Sequence, residues 1–146
     1  MDNQVTRSAM PANVDEKIAE LLKPMLKKRL FVALCKATAR PEEILPFVAD
    51  HLAYMVQLEN EGKLFASGPF IQEGVLVGDG LTILQAGTIE DARALMQAEP
   101  LIQRGLREFD LRPWELREGR MTITLNASTS GFRLDGADLA ISNRVG

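Results

Sequence analysis

Residues 51–70, HLAYMVQLENEGKLFASGPF, decide the fold prediction, because they place a helix and a strand next to each other with a clear stop signal between them. Apolar residues recur at helical spacing as far as Leu58, and Gly62 is typical of the residue at which a helix ends. Residues 63–70 then predict a short strand that ends at Gly68-Pro69.

The residues before this stretch predict a strand followed by the start of the helix. Residues 29–38 form a continuous apolar run that fits a buried strand or a buried helical segment, and its length and β-prone residues favour the strand. Pro41 with two glutamates after it is typical of a first helical turn. The predicted apolar face of this helix is Ile44, Leu45, Val48, Leu52, Met55 and Leu58.

The residues after this stretch predict a second strand, helix and strand. Three glycines within residues 72–80 indicate a hairpin or a flexible loop, and residues 81–86 read as a strand. Thr88 is a candidate N-cap, with Asp91 at the position of a capping-box acid. Pro100 ends this helix, and residues 106–116 predict the last strand.

The order strand, helix, strand, strand, helix, strand is that of a split βαβ, ferredoxin-like α+β domain. It predicts a four-stranded antiparallel sheet with two helices on one face. The other face would then expose a large apolar patch, so we expect a homodimer packed through the sheets. The predicted divisions are an N-terminal extension (1–28) with a helix over 14–28, the core domain (29–118), and a C-terminal strand and tail (119–146). The tail is either an arm over a partner subunit or disordered.

Composition excludes several classes of function. The chain has 146 residues, 46% of them apolar, and a net charge of −3 without a basic patch, so no nucleic-acid partner is expected. No apolar run approaches the ~20 residues that cross a bilayer, and without a secretion signal the expected location is the cytoplasm. One histidine and one cysteine cannot build a zinc site. Neither a phosphate-binding loop nor a nucleophile elbow is present, and no metal or cofactor is expected.

The only histidine, His51, is the strongest candidate for chemistry. It lies three residues after Val48 and four before Met55, so the helical period turns it toward the sheet. An imidazole beside a polar cleft can exchange protons near neutral pH. The alternative is a core histidine held by a backbone carbonyl. Cys35, in an apolar run, is expected to be a small buried residue.

The stretch from His51 to Phe70 resembles the signature of the YCII-like family: a histidine on the first core helix, a glycine stop, and a strand ending in a small residue followed by Gly-Pro. Residues 92–95 and 98–101, with Gly105 and Pro113-Trp114, are similar to the family's second helix, Asp-Pro turn and closing strand. The resemblance covers roughly residues 31–116. It implies a dimeric α/β barrel.

The resemblance also implies a catalytic histidine paired with an acid from the Asp-Pro turn. In this chain the acid is Glu99, one methylene longer than the usual aspartate. Glu99 would orient His51 and stabilise its charged form, whereas by itself it could be a solvated residue ending a helix. The candidate substrate-binding residues are Ser67, Gly68, Pro69, Tyr54 and Trp114. Ser67 could instead be simply a small strand residue, Tyr54 a core residue and Trp114 a residue of the dimer face.

Three functions remain open at this point. The first is a cofactor-independent acid–base enzyme acting on a small cyclic compound. The resemblance implies HCl elimination from a chlorinated hydroxyquinol in aromatic degradation (a lyase), with a muconolactone-type isomerisation as the alternative. The second is a non-catalytic module that binds a small molecule, and the third is a purely structural dimer. One fold can host all of these.

Overall fold

The computed structural model describes residues 12–73, 75–128 and 131–134. The contacts divide the chain into two units, one comprising Leu26–Leu116 and the other the residues on both sides of it. The larger unit contains the four-stranded sheet and every residue of the predicted site.

The described elements follow the predicted order, except that the first core helix is divided by a 3₁₀ turn, a short helix precedes the last core strand, and a further strand follows the strand predicted at 121–125. In chain order they are α1 (Ala12–Leu22), β1 (Lys28–Ala37), α2 (Pro41–Ile44), a 3₁₀ turn (Leu45–Phe47), α3 (Val48–Asn60), β2 (Leu64–Gln72), β3 (Val75–Leu84), α4 (Ile89–Gln97), α5 (Pro100–Gln103), β4 (Arg107–Leu116), β5 (Ile123–Asn126) and β6 (Gly131–Leu134).

The sheet of the larger unit has the strand order β2-β3-β1-β4, and each neighbouring pair is antiparallel. This confirms the predicted α+β, ferredoxin-like arrangement. The long central strand β1 pairs with β3 on one side and β4 on the other, and Ala33 lies opposite both Thr82 and Leu111. Residues opposite one another point to the same face of the sheet, so the register assigns every side chain to a face.

One face of the sheet is covered by α3 and α4; we call it the helix-covered face. On β1, β3 and β4 its residues alternate as the pleat requires and are buried against residues of both helices, whereas the residues of β2 on this face, Ser67 and Pro69, are exposed. The buried cluster consists of Phe31, Ala33, Cys35, Leu84 and Leu111 from the strands, Leu58 from α3, and Ala92 and Met96 from α4.

The opposite face, which we call the second face, carries the residues of the other parity: Val32, Leu34, Leu81, Ile83 and Trp114. These side chains are apolar, yet Leu34 is 41% exposed and Trp114 is 39% exposed. The predicted contrast between one covered face and one apolar, partly exposed face is therefore present in this unit.

The first core helix differs from its prediction because Pro46 divides it. Proline lacks an N–H and its ring clashes with the preceding turn, and the chain passes through the 3₁₀ turn before α3 starts at Val48. The break changes which residues face inward. Ile44 is buried, whereas Leu45 and Leu52, which we placed on the apolar face, are 70% and 56% exposed.

The glycine-rich segment forms a hairpin, one of its two predicted forms, but the second strand begins earlier than predicted. β3 starts at Val75 and not at residue 81, so Gly78 and Gly80 lie inside the strand. A Cβ on Gly78 would come within 2.9 Å of the Ala37 Cβ, so close packing explains a glycine there. These glycines mark contacts within a sheet instead of a flexible connection.

Several local signals are confirmed. Gly62 ends α3 with a φ of +71°, and the Thr88 hydroxyl accepts a hydrogen bond from the Asp91 N–H at 3.1 Å. The N-terminal helix ends at Leu22, not at residue 28, because Pro24 disfavours the helical conformation of Lys23. The predicted strand at 121–125 corresponds to β5, which pairs with β6. Residues 135–146 of the tail lie outside the described residues.

Candidate active site

His51 and Glu99 meet in a direct hydrogen bond. The His51 Nδ1 lies 2.7 Å from the Glu99 Oε1, although the two residues come from different helices, α3 and the turn before α5. The His51 side chain is 18% exposed, while that of Glu99 is 1% exposed. The imidazole is therefore accessible at one edge and rests on a carboxylate that solvent does not reach.

Glu99 is held in place by its role as the N-cap of α5. Its Oε1 accepts a hydrogen bond from the Leu101 N–H at 3.0 Å, and its Oε2 accepts one from the Ile102 N–H at 3.1 Å. Pro100 occupies the first position of α5, where its missing N–H costs nothing. The glutamate is thus a fully bonded N-cap and not a solvated residue at a helix end.

The hydrogen bonds decide the ionisation of Glu99. Burial by itself would raise the pKa of this carboxyl group, but the hydrogen bond from His51 and those from the Leu101 and Ile102 N–H groups hold its pKa below the ordinary value. Glu99 is therefore an ionised carboxylate at neutral pH.

An ionised carboxylate only accepts hydrogen bonds, so His51 must donate its Nδ1–H to Glu99. In the neutral imidazole this leaves Nε2 without a proton and able to act as a base. When Nε2 takes up a proton, the imidazolium is stabilised by the same carboxylate. The pair can therefore remove a proton from a bound compound and return it.

The predicted residues of strand β2 do not share one surface. The register places Ser67 opposite Thr82 and Pro69 opposite Gly80, on the helix-covered face, whereas Gly68 lies opposite Leu81 on the second face. Residues 66–70 also line a shallow groove of about 230 Å³ together with Leu81 and Ile83. Neither His51 nor Glu99 lines this groove.

Tyr54 and Trp114 lie in different surroundings. The Tyr54 hydroxyl donates a hydrogen bond to the Leu95 carbonyl oxygen at 2.7 Å, and its ring packs against the buried cluster. Trp114 lies opposite Leu30 on the second face. That these two residues bind substrate stays a prediction.

Sequence reasoning missed Arg107 and Thr82. Both residues are on the helix-covered face and are buried, with exposures of 8% and 2%. Residues 107, 109 and 111 lie on the inward side of the strand, so the period of two residues could have predicted from the sequence that Arg107 faces the core.

Cys35, expected to be a small buried residue, is buried on the same face. Its pKa is raised, chiefly by burial; the charge of Arg107 and a hydrogen bond with Thr82 oppose this rise, and the charge of Glu99 adds to it.

Among residues 12–73, 75–128 and 131–134, no cluster of histidine, cysteine and acidic side chains has the arrangement of a metal site. No helix in the same ranges has the length and apolar character to cross a membrane.

The YCII-related domain model matches residues 29–115. The chain belongs to the YCII-related family. One relative is an uncharacterized protein, YjpA, from Bacillus subtilis (strain 168), with 28% identity over 71 residues, which are 49% of this chain and 79% of YjpA.

A solved structure with a similar fold is 5-chloro-2-hydroxyhydroquinone dehydrochlorinase (TftG) from Burkholderia phenoliruptrix AC1100 in complex with 2,5-dihydroxybenzoquinone. The similarity covers 58% of this chain and 92% of that chain, with 22% identity and a TM-score of 0.50. At this identity the likeness shows the ferredoxin-like fold alone.

Proposed function

We propose that this YCII-related protein is a cofactor-independent acid–base enzyme that eliminates HCl from a chlorinated hydroxyquinol. The observation that carries the proposal is the 2.7 Å contact between His51 and the buried Glu99. A carboxylate so held fixes the tautomer of the imidazole and makes it a proton acceptor. The dehydrochlorinase with the same fold supports the choice of substrate class.

The reaction balances without an oxidant. His51 Nε2 removes the proton of the hydroxyl group on the carbon next to the chlorinated carbon. The electron pair released forms a carbonyl at that position, and the chlorinated carbon takes up a proton. A second hydroxyl group then loses its proton, a second carbonyl forms, and the C–Cl bond breaks with its electron pair leaving as chloride. The product is a hydroxybenzoquinone, and the net loss is HCl.

The proposed enzyme is a homodimer. The support is the second face, where the apolar Leu34 and Trp114 side chains are each about two-fifths exposed. An apolar surface of this kind on a sheet usually marks an interface. A second copy of the chain would cover it by packing sheet against sheet.

The test measures chloride release from 5-chloro-2-hydroxyhydroquinone by the parent and by His51→Ala. Because proton transfer by a positioned side chain contributes 10²–10⁴-fold, we expect the His51→Ala rate to fall at least about 100-fold with the fold retained. The matched control is Asp50→Asn, since Asp50 is adjacent in sequence but its side chain is 62% exposed and faces Arg104 at 3.8 Å. This control should keep the parent rate.

A His51→Ala rate equal to that of the parent would overturn the catalytic role of the histidine. A parent that binds 2,5-dihydroxybenzoquinone but releases no chloride would instead favour the non-catalytic binding module. Loss of lactone isomerisation in His51→Ala, with no chloride release by the parent, would favour the isomerase.

A further inference from the structure

Arg107 occupies a position that normally requires a partner. The residue is 8% exposed, and its Nε is buried without a hydrogen-bond acceptor. No acidic side chain of residues 12–73, 75–128 or 131–134 forms a salt bridge with it. A buried charge without a counter-charge is costly in free energy, so such a group points to a ligand that supplies the counter-charge.

The side chain of Arg107 crosses the helix-covered face of the sheet. Arg107 begins β4 opposite Ala37 of β1, yet its Nη2 lies over Gly80 of β3, only 2.6 Å from the point that a Cβ on Gly80 would occupy. The same point is 2.8 Å from the Gly68 carbonyl oxygen and 3.4 Å from the Pro69 Cα. Because Gly80 has no side chain, the guanidinium can extend across β1 toward the edge strand β2.

Arg107 and the His51–Glu99 pair belong to the same neighbourhood. The N–H of Leu106, the residue before Arg107, donates a hydrogen bond to the Leu101 carbonyl oxygen at 3.0 Å, and the Leu101 N–H is itself bonded to Glu99. Glu99 forms its ion-pair contact with His51 and not with Arg107. A base and an unpaired cation thus lie on one face of the sheet.

We propose that Arg107 binds a negatively charged oxygen of the substrate, so that the site takes ring compounds carrying an ionised hydroxyl or enolate group. This inference rests on the proposed function and names the part of the substrate that the protein recognises. Removal of a hydroxyl proton by His51 leaves negative charge on oxygen, and a pre-positioned guanidinium stabilises that charge as it develops. Ser67, opposite Thr82 on the same face, lies beside this region.

The test compares two probes on the full chain by titration calorimetry. One is 2,5-dihydroxybenzoquinone, whose hydroxyl groups ionise, and the other is its dimethyl ether, which cannot ionise. The parent should bind the ionised probe at least about tenfold more tightly than the ether. Arg107→Met should weaken binding of the ionised probe roughly 10- to 100-fold, the range of one charge-assisted hydrogen bond, and leave binding of the ether unchanged.

The matched control is Arg93→Met. Arg93 is an exposed residue of α4, so its removal should change neither dissociation constant. The melting temperature separates binding from a structural role. An unpaired buried cation adds no stability, so Arg107→Met should melt at or above the parent temperature, as observed when buried charges are replaced by apolar residues.

Equal affinity of the parent for both probes would overturn the inference, and this measurement does not depend on any variant. Arg107→Lys, which keeps the charge but loses the planar donor pair, should bind the ionised probe with intermediate affinity. Unchanged ionised-probe binding in Arg107→Met would also overturn the inference, while His51-dependent chloride release would still support the proposed function. Arg107-dependent binding without chloride release would support the inference and overturn the proposed function.

Discussion

The two faces of the central sheet differ in a way that separates chemistry from assembly. The helix-covered face buries polar groups within the hydrocarbon core, among them Thr82, Glu99 and Arg107. The second face is apolar at its centre, but Leu34 and Trp114 keep substantial contact with solvent. Polar groups are buried where apolar ones would be expected, and apolar groups are exposed where polar ones would be expected.

The difference between the two faces indicates which one suits a reaction and which one suits an interface. Hydrogen bonds and charges are stronger in a medium that excludes water, so a histidine–carboxylate pair gains from the covering helices. An apolar face gains only when another surface removes it from water. The helix-covered face is therefore suited to a reaction, and the second face is suited to an interface.

The largest effect is expected at Glu99. Glu99→Ala removes the partner of His51 and both N-cap hydrogen bonds of α5. Loss of an N-cap costs about 0.5–2 kcal/mol, and a hydrogen bond to a charged group contributes about 1.5–3 kcal/mol. Chemical denaturation should show this fall in the free energy of unfolding, and Glu99→Gln, which keeps the carbonyl oxygen, should lose less. Equal stability of Glu99→Ala and the parent would contradict the assigned cap and pair.

A smaller effect is expected on the second face, in association and not in folding. Leu34→Lys places a charge at the centre of the apolar surface. A central interface residue typically contributes about 2 kcal/mol or more, so the dimer dissociation constant should rise roughly 30-fold. Analytical ultracentrifugation measures this constant, and Glu59→Lys, at an exposed position of α3 away from the second face, should leave it unchanged. A parent that stays monomeric at high concentration would refute the dimer.

The smallest effect is the dependence of stability on acid. The pKa of Glu99 is lower in the folded chain than in the unfolded chain, because the hydrogen bonds from His51, Leu101 and Ile102 outweigh the opposing effect of burial. Its contribution to stability is present above the unfolded pKa and is lost as the pH falls through the folded pKa.

Urea titrations across the acidic range should therefore show a steeper loss of stability in the parent than in Glu99→Gln. Glu42→Gln removes a carboxylate that is 65% exposed and controls for the change in net charge. If the parent and Glu99→Gln lost stability in parallel, the carboxylate of Glu99 would not be the group responsible.

The sequence by itself determined the order of the elements. This follows from local rules, which depend only on residues close together in the sequence. Examples are the periods of helix and strand, the positive φ of Gly62 and the capping hydroxyl of Thr88. Local rules also gave the contrast between the two faces of the sheet, because successive residues of a strand alternate sides.

Only the tertiary structure decided which polar groups are buried together. Glu99 meets His51 across 48 positions of the chain, and Arg107 reaches over Gly80 from two strands away. Such contacts depend on strand register and on how α3 and α5 pack, and no local period encodes them. The same limit explains the break at Pro46 and the strand through Gly78, since packing chose among conformations that the local sequence allowed.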